Sequence, residues 1–326
     1  MRYDESDRES DNVEDRRGQR SGMRFPGGGM QIPIGGRGGM SFTTLLIIGA
    51  IMLFFGINPL DILTGGGGRG IEVPQMPNME SSPRPSANRN PFEIPGLPGT
   101  QRRDEPSPAP GRSDEMGTFI KRVLADTEDV WSRVFQSFGK NYKEPRLVLF
   151  TGATPTACGT GMSAMGPFYC PLDQKIYVDL AFYEQLKRRF QAPGDFAQAY
   201  VIAHEVGHHV QALLGIAQKV QSLKSQMSER ESNALQVRME LQADCLAGVW
   251  ANLNNQLNKR LEQGDIQEGL NAASAIGDDM IQRKTQGHVV PDAFTHGSSE
   301  QRVRWFSKGF DGGKMQDCDT FSSSNL

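Results

Sequence analysis

Residues 195–214 read DFAQAYVIAHEVGHHVQALL, and this stretch decides how the rest of the chain is interpreted. Apolar residues flank the central histidines on both sides, and Pro193-Gly194 stands immediately before the stretch. Such a run predicts a helix that lies in the core, with Asp195 as a candidate N-cap and an end no earlier than Leu214. The fold and the chemistry are therefore linked, because the histidines lie inside the predicted core helix.

Within this helix, the sequence HEVGH places His204 and His208 four residues apart. Residues at this spacing share one helix face, so both imidazoles can reach one zinc ion at about 2.0–2.1 Å. Glu205 is displaced by about 100° around the helix and can reach a zinc-bound water without binding the metal. The alternative is a core helix with two hydrogen-bonded histidines. His209 has no such geometric role, and we expect it to support the site or to lie at the surface.

A catalytic zinc site needs a third protein ligand and an open position. The extended motif HExxHxxGxxH is excluded, because Gln211 and Leu214 stand where it requires glycine and histidine. The sequence ELQAD instead offers Glu240 and Asp244, which share one face of another predicted helix. Glu240 would complete a His₂Glu site, and Asp244 would accept the outer N–H of a ligand histidine. The alternative is a solvated carboxylate face.

The segment THGSSEQR places a histidine on a loop immediately before a further predicted helix. His296 could point back into a cleft and donate a hydrogen bond to the developing oxyanion of a substrate. Arg302 could bind the carboxylates around the metal or a substrate carboxylate. The alternative is a helix-capping turn, with Ser298 or Ser299 as N-cap and Arg302 on the surface. For His288 the sequence indicates no partner, and we expect a structural role.

Residues 116–326 predict one α+β domain, mainly α, with a zincin-like motif helix and a small sheet. The β-rich runs Leu147–Thr151 and Lys175–Leu180 predict strands, and a Gly-rich loop over Thr156–Pro171 separates them. Either strand could form a sheet edge that pairs with an extended peptide. Gly264 is expected to end the longest helix. Apolar spacing and turn residues predict helices over 116–139, 181–190, 195–214, 228–263, 266–284 and 298–310.

The first 115 residues differ in composition from the rest of the 326-residue chain. They contain 13 of the 19 prolines and 19 of the 37 glycines, but no Trp, Cys or His. Such a segment cannot bury enough apolar surface to offset its ordering entropy. We predict a disordered cytoplasmic tail over 1–40, a transmembrane signal anchor over 41–63, a Gly/Pro-rich linker over 64–115 and the domain. The balance of 35 Lys+Arg against 38 Asp+Glu disfavours a nucleic-acid binder.

The anchor is predicted from Phe42–Ile57, an apolar stretch in a segment that has no charged residue between Arg37 and Asp61. Its uncharged flanks extend it to the roughly 20 residues that a bilayer requires. A buried core helix is disfavoured because nothing nearby could cover it. A cleaved signal peptide is disfavoured because no small-x-small cleavage site follows. Arg24 and Arg37 weakly favour an amino terminus in the cytoplasm.

Several longer segments extend the motifs, namely HEVGHH, ELQADCLAGVW, ACGTGMSAMGPFYCPLDQKIYVDL and DAFTHGSSEQRVRWF. Together with the amino-terminal RESDNVEDRR, they resemble the putative neutral zinc metallopeptidase family of bacteria over nearly the whole chain. The resemblance implies a single-pass inner-membrane protein whose catalytic domain lies in the periplasm or otherwise outside the cytoplasm. It also implies a gluzincin-like site, with His204, His208 and Glu240 as zinc ligands and Glu205 as catalytic residue. It implies no particular substrate.

The segment THGSSEQRV also resembles the THPxxxxR segment of membrane-associated zinc endopeptidases related to CAAX proteases and HtpX-like proteases. His296 and Arg302 match that pattern. Gly297 stands where the pattern has proline, so the resemblance does not extend to the backbone path of the loop.

The domain contains four cysteines, Cys158, Cys170, Cys245 and Cys318, and none of them forms a CxxC pair. This spacing disfavours a Cys-rich zinc site, and an even count in an exported domain indicates disulfides. Three pairings are open. We favour Cys158–Cys170, which would close the Gly-rich loop, with Cys245–Cys318 holding the chain end to the Glu240 helix. The alternative is four free thiols in a cytosolic domain.

These observations predict a membrane-anchored zinc metallopeptidase that hydrolyses peptide bonds with one zinc-activated water and Glu205 as general base. The expected partners are a peptide or protein substrate and, through the single span, the lipid bilayer; no nucleic acid is expected. A zinc-containing scaffold that binds partners without turnover is the main alternative, and a soluble cytosolic peptidase is the third. The sequence predicts neither the substrate nor the oligomeric state.

Overall fold

The computed structural model describes residues 1–18 and 110–326. The predicted transmembrane anchor over 41–63 lies outside these residues, as do the adjoining parts of the predicted tail and linker. Within the described ranges, no helix is both long enough and apolar enough to cross a membrane.

The described residues form eight α-helices and six β-strands, which confirms the predicted α+β class with mainly α content. The helices are α1 (Pro110–Ser137), α2 (Ala181–Arg188), α3 (Asp195–Leu213), α4 (Ile216–Lys224), α5 (Glu229–Asn258), α6 (Asp265–Ala275), α7 (Asp278–Gln286) and α8 (Ser299–Gly312). The strands are β1 (Val13–Asp15), β2 (Arg146–Phe150), β3 (Ala153–Thr156), β4 (Gly159–Met162), β5 (Phe168–Cys170) and β6 (Lys175–Asp179). Helix α1 thus begins inside the segment that was expected to be linker.

Four strands form one sheet in the order β1-β2-β6-β5, in which β1, β2 and β6 are parallel and β5 is antiparallel to β6. The expectation that β2 or β6 forms a sheet edge is wrong, because β1 and β5 flank them. In both β2 and β6, every residue after the first is buried, as in interior strands of parallel sheets. The predicted Gly-rich loop contains β4 and β5, and β4 pairs with β3 in a separate hairpin.

Residues 1–18 pack against the domain, so the prediction of a disordered tail is wrong for this part of the chain. Strand β1 pairs in parallel with β2. Two backbone bonds frame this pairing, from Leu147 N–H to Asn12 O at 2.9 Å and from Arg16 N–H to Leu149 O at 2.8 Å. Strand β1 therefore covers the sheet edge opposite β5.

The polar side chains of this segment have partners in the domain instead of being solvated. Glu128 on α1 is 1% exposed and accepts hydrogen bonds from Ser10 Oγ at 2.5 Å, Asn12 Nδ2 at 2.9 Å and Arg8 Nη1 at 2.9 Å. The Tyr3 hydroxyl donates to a buried aspartate on α1 at 2.9 Å. Ser10 lies 118 residues from Glu128 in the chain, so no local sequence pattern indicates this pairing.

Several helix ends differ from the predictions, because the capping residues and glycines lie at other helix ends than expected. Ser228, which was expected to be the first residue of the helix, is the N-cap of α5 and forms a reciprocal capping box with Glu231. Helix α5 ends where Lys259 adopts a left-handed conformation, φ 54°, earlier than predicted. Gly264 is the N-cap of α6 and does not end α5. Gly277 separates α6 from α7, where one continuous helix was predicted.

Helix α3 begins at Asp195, but Gly194 is its N-cap, so the assignment of Asp195 as N-cap is wrong. The Asp195 carboxylate instead accepts from the amino group of Met1 at 2.7 Å. Asp265 lies 3.1 Å from the same nitrogen, so the start of α3 and the start of α6 share this cation. A carboxylate in the first turn also favours the helix through its dipole.

Helix α3 packs against α5 and α6 in the centre of the domain, and α8 packs along α5. Gly248 on α5 and Gly309 on α8 stand where these two helices cross, and a Cβ at either position would overlap the backbone of the other helix. The crossing holds the start of α8 close to the middle of α5. This arrangement brings residues of α3, α5 and α8 to one place in the core.

Both favoured disulfides are present. Cys158–Cys170 joins the turn of the β3–β4 hairpin to β5. Cys245–Cys318 joins α5 to the carboxy-terminal segment over a separation of 73 residues. The second bridge begins at the residue after Asp244, and it therefore fixes the chain end beside the predicted site.

Candidate metal centre

Helices α3 and α5 bring His204, His208 and Glu240 together in the interior of the domain. Gly207 faces α5, and a Cβ there would lie 3.0 Å from the Ala243 carbonyl oxygen, so a larger residue would push the helices apart. Glu240 Oε2 lies 3.2 Å from His204 Nε2 and 3.3 Å from His208 Nε2. The side chains predicted as metal ligands therefore point at one position.

The spacing of these three atoms fits a tetrahedral zinc ion. Two ligands bound at about 2.0–2.1 Å with tetrahedral angles are about 3.3 Å apart. The observed separations from Glu240 Oε2 are 3.2 Å and 3.3 Å. Two imidazoles and one carboxylate form a common donor set of catalytic zinc sites, in which the fourth position stays open. The residues present therefore fit the predicted metal.

Both histidines are held at their other ring nitrogen. His204 Nδ1 lies 2.8 Å from Asp244 Oδ1, and His208 Nδ1 lies 2.9 Å from Gln211 Oε1. Each acceptor fixes the proton on Nδ1 and leaves Nε2 free for a metal. Gln211 is itself fixed, because its amide donates to the Met239 carbonyl at 2.7 Å.

Asp244 is the centre of a buried hydrogen-bond cluster. Arg302 donates to it from Nε and Nη2, at 2.9 Å each, and the Tyr200 hydroxyl donates at 2.5 Å. Burial raises the pKa of Asp244, but Arg302 and His204 together outweigh this and lower the pKa to about 2. Asp244 is therefore a permanent carboxylate behind His204. Arg302 is 3% exposed, so its placement on the surface is wrong and its carboxylate partner is Asp244.

The candidate ligands shift one another's pKa values through their charges. Burial lowers the pKa of His208, but the Glu240 carboxylate outweighs burial and raises the pKa to about 9. In the opposite direction, His208 and His204 hold the pKa of Glu240 well below its ordinary value despite its burial. The two histidines and the Glu240 carboxylate thus favour one another's charged forms.

A cavity of about 400 Å³ opens onto the three ligand residues. Glu205 also lines this cavity, one residue along α3 from His204, and its side chain takes no part in the ligand cluster. His296 lines it from the loop before α8. The predicted general base and the predicted oxyanion donor thus face the same space as the ligands.

The loop of His296 is organised by Asp278, the first residue of α7. Asp278 Oδ2 accepts the backbone N–H groups of Thr295 and His296 at 2.6 Å each and that of Gly297 at 3.2 Å. Asp278 Oδ1 lies 3.2 Å from His296 Nδ1. Burial lowers the pKa of His296, but Asp278 outweighs burial and raises it. The capping turn is also present, with Ser298 as N-cap of α8. The same loop therefore caps α8 and brings His296 to the cavity.

The two remaining histidines lie outside the ligand cluster. His209 is fully buried, so the suggested surface position is wrong. Its Nε2 lies 2.6 Å from the Lys143 carbonyl and its Nδ1 lies 3.1 Å from the Tyr169 hydroxyl, which joins α3 to β5. Burial lowers the pKa of His209 to about 4, so the ring is neutral. His288 is exposed, and it contacts the Gln286 carbonyl at 3.1 Å.

Sequence reasoning missed three residues of the site: Tyr200, Gln211 and Asp278. Tyr200 lies four residues before His204, and Gln211 lies three residues after His208, so helical spacing already places them on the ligand face. Their polar side chains on that face were the available indication. Asp278 had none, because its partners lie 17 to 19 residues away on a loop.

Comparison with known proteins identifies similar chains that are themselves uncharacterized. The chain is 45% identical over 317 residues to the uncharacterized protein YpfJ of Escherichia coli K12, covering 97% of this chain and 98% of that protein. It is 39% identical over 222 residues to the uncharacterized proteins Rv2575 of Mycobacterium tuberculosis H37Rv and Mb2605 of Mycobacterium bovis, covering 65% of this chain and 74% of each of them. No solved structure matches the chain.

The family model described as putative neutral zinc metallopeptidase matches residues 1–321. The match includes the first 18 residues, which the structure places on the domain, together with the ligand helices and the loop of His296. It therefore extends over nearly all of the chain, which belongs to the putative neutral zinc metallopeptidase family.

Proposed function

We propose that this protein is a zinc-dependent peptidase that hydrolyses peptide bonds in a peptide or protein substrate. The observation that carries the proposal is the convergence of His204, His208 and Glu240 at zinc-ligand spacing, beside a cavity that Glu205 also lines. Three protein ligands leave one position for water, as in hydrolytic zinc sites. A structural zinc site would instead use four protein ligands.

When bound, zinc would polarise a water molecule and the scissile carbonyl group. Glu205 then takes a proton from the attacking water and later donates it to the leaving amine. Asp244 and Gln211 hold the two imidazoles in the required tautomers throughout. Arg302 keeps Asp244 ionised, so the charge behind His204 does not change during turnover.

His296 is proposed to stabilise the oxyanion that develops on the substrate. Its Nδ1 faces Asp278, so its Nε2 is the nitrogen available to the cavity. A hydrogen bond from Nε2 would be strongest when the carbonyl oxygen has become negative. Asp278 supports this role because it fixes both the backbone and the ring of His296.

Strand β5 is proposed to align the substrate. It is the sheet edge next to the cavity, and its residues Phe168 and Tyr169 line the cavity wall. An extended peptide can add to such an edge through backbone hydrogen bonds. The bond between His209 and Tyr169 would keep this edge in register with α3. Strand β5 thus takes the role that was expected for β2 or β6.

The proposed enzyme acts outside the cytoplasm, where the predicted anchor would hold it at the inner membrane. The two disulfides support this location, because cytosolic thiols are kept reduced. Alkylation of unreduced protein taken directly from cells tests it. We expect no reactive cysteine, and four reactive thiols would contradict an oxidising compartment.

The test of the function is Glu205→Gln, with metal content measured on the same sample. Because Glu205 is not a ligand, zinc should be retained while peptide cleavage falls by about 10²-fold or more. Glu184→Gln on the exposed face of α2 is the matched control and should leave cleavage unchanged. Unchanged cleavage in the Glu205 variant would refute the role of Glu205. If zinc-loaded wild-type protein cleaves no peptide in a proteome-derived library, that result would favour the alternative of a zinc-containing scaffold that binds partners without turnover.

A further inference from the structure

We propose that the site selects peptides with a large apolar side chain next to the scissile bond. This inference rests on the proposed peptidase function and adds the class of substrate. The part of the cavity beyond the catalytic groups has an apolar wall, formed by Phe182, Phe190, Val201, Ile276 and Ile281. No substrate preference follows from the ligand set itself, so the wall is the feature that decides it.

The apolar wall begins directly beside the chemistry. Val201 precedes His204 by three residues and Glu205 by four, so it neighbours each of them on the surface of α3. A group that contacts Val201 is therefore within one helical turn of the general base. This places the apolar wall next to the scissile bond and not at a distant subsite.

The wall comes from elements that enclose the space from more than one side. Phe182 lies on α2, whereas Ile276 lies between α6 and α7 and Ile281 lies on α7. Phe182 and Phe190 are 8% and 7% exposed, so the aromatic part of the wall is fixed in the core. A volume of about 400 Å³ lies within the roughly 300–1,000 Å³ range of small-ligand pockets. It can therefore enclose a side chain with its backbone.

Apart from Glu205, the charged groups of the cavity already have partners within the site. Among its described lining residues, the acidic and basic side chains are Glu205, Glu240, Arg302 and the three site histidines. Arg302 is bound to Asp244, and Glu240 belongs to the ligand set. A charged substrate side chain placed against the wall would lose its hydration without gaining a partner from the five wall residues. An apolar side chain would gain from leaving water.

The experiment is a peptide library in which one residue on each side of a cleaved bond is varied. We expect wild-type kcat/KM for Leu, Ile, Met or Phe to exceed that for Gly, Asp or Lys by roughly 10- to 200-fold at one of the two positions. Ile281→Glu should reduce this ratio to about one and improve Lys relative to Leu. Ile281→Lys should improve Asp instead.

Ile266→Glu is the matched control, because Ile266 is also half-buried but does not line the cavity. It should keep the wild-type preference, and thermal unfolding of all variants checks that they fold. Binding of uncleaved peptides to Glu205→Gln gives a second readout, in which the Leu peptide should bind at least 10-fold more tightly than its Asp counterpart. Cleavage without any apolar preference would overturn this inference alone. Absence of all cleavage would count against the peptidase itself.

Discussion

At the scale of single residues, Asp278 shows how one carboxylate can organise the loop that carries His296. Its two oxygens hold three backbone N–H groups and the ring of His296. The same carboxylate raises the pKa of His296 above its ordinary value against the effect of burial. The position of His296 and its protonation therefore depend on one residue of another helix.

The first prediction concerns Asp278→Asn, which keeps the shape of the side chain and removes its charge. We expect kcat to fall by about 10- to 100-fold with little change in KM, because the oxyanion donor loses its orientation. Loss of the negative charge also lowers the pKa of His296 relative to the wild type. The alkaline limb of the pH–rate profile should therefore move to lower pH.

Asp279→Asn is the control for this experiment. Asp279 lies beside Asp278 but accepts from the backbone and hydroxyl of Ser299, at 2.7 Å and 2.8 Å, and does not touch His296. Its substitution should leave the pH profile unchanged. An identical shift in both variants would show that α7 acts through general destabilisation and not through His296.

At the scale of elements, strand β1 is held to the sheet by an ion pair between Glu14 and Lys175 of β6 as well as by backbone bonds. Glu14 accepts from Arg16 Nε at 2.8 Å and from Lys175 Nζ at 3.0 Å. These hydrogen bonds to Arg16 and Lys175 lower the pKa of Glu14 to about 2. A lowered pKa in the folded state means that the carboxylate stabilises the docked strand above pH 4.5, and that this contribution is lost as the pH falls towards 2.

The second prediction is that Glu14→Gln weakens the docking of β1 at pH 7 and that the difference from wild type disappears on acidification. The effect should be small, within about 1 kcal/mol, because the pair is partly exposed. Hydrogen exchange at the Leu147 amide, which donates to Asn12, reports the docking directly. The exposed Glu5 in the same segment offers Glu5→Gln as control, with no pH-dependent difference expected. A difference between Glu14→Gln and wild type that persists unchanged at low pH would contradict the assignment.

The features that could be predicted from the sequence are those that depend on residues close together in the chain. The spacing of His204 and His208, and of Glu240 and Asp244, fixes positions on helices, and the structure brings these helices together. Apolar spacing predicted strands β2 and β6 and most of the helices in the same way, but it did not predict α4 or the strands β1, β3, β4 and β5. The convergence of the three ligands was predictable because the HExxH motif calls for a third ligand, and Glu240 in ELQAD offered one.

The parts that were predicted wrongly depend on contacts between distant residues. The charge of residues 1–18 indicates solvation, but Ser10 and Arg8 find a buried partner on α1 more than a hundred residues later. The edge role of β5 follows from the neighbours of β2 and β6, which no property of those two strands reveals. Asp278 belongs to the same group, since its partners lie on a separate loop.

At the scale of the whole molecule, the candidate metal centre takes its ligands from both α3 and α5 in the core. Zinc bound by these residues would link the two helices, so occupancy of the site should stabilise the entire domain. Ligand binding and global stability are linked in this way.

The third prediction is that removal of zinc by a chelator lowers the thermal midpoint of the protein. At a zinc concentration of about 1,000 times Kd, binding adds about 4 kcal/mol, which corresponds to roughly 10 °C for a domain of this size. Calorimetry with and without zinc measures the shift. Glu240→Gln should show little zinc-dependent shift, because it removes a ligand. If zinc binds in the wild type without changing its midpoint, the metal does not occupy the core site.

The pairing of β1 with β2 has a topological consequence. Residues 1–18 and 110–326 form one folded unit. A stretch that crossed a bilayer once would place its two ends in different compartments and separate β1 from β2. Residues 1–18 and the domain therefore lie in one compartment wherever β1 is docked, which disfavours a cytoplasmic position for residues 1–18 if the domain is external.

This sidedness is the fourth prediction. Single cysteines placed at the exposed positions Glu5 and Lys219 should react with a membrane-impermeant maleimide in the same compartment of intact cells. Permeabilised cells provide the control for total reactivity. Labelling of the two positions from opposite sides would show that the first strand and the peptidase domain are separated in the cell. Matching labelling would make the amino-terminal strand part of the same exposed enzyme surface, within reach of whatever substrate or inhibitor meets the domain.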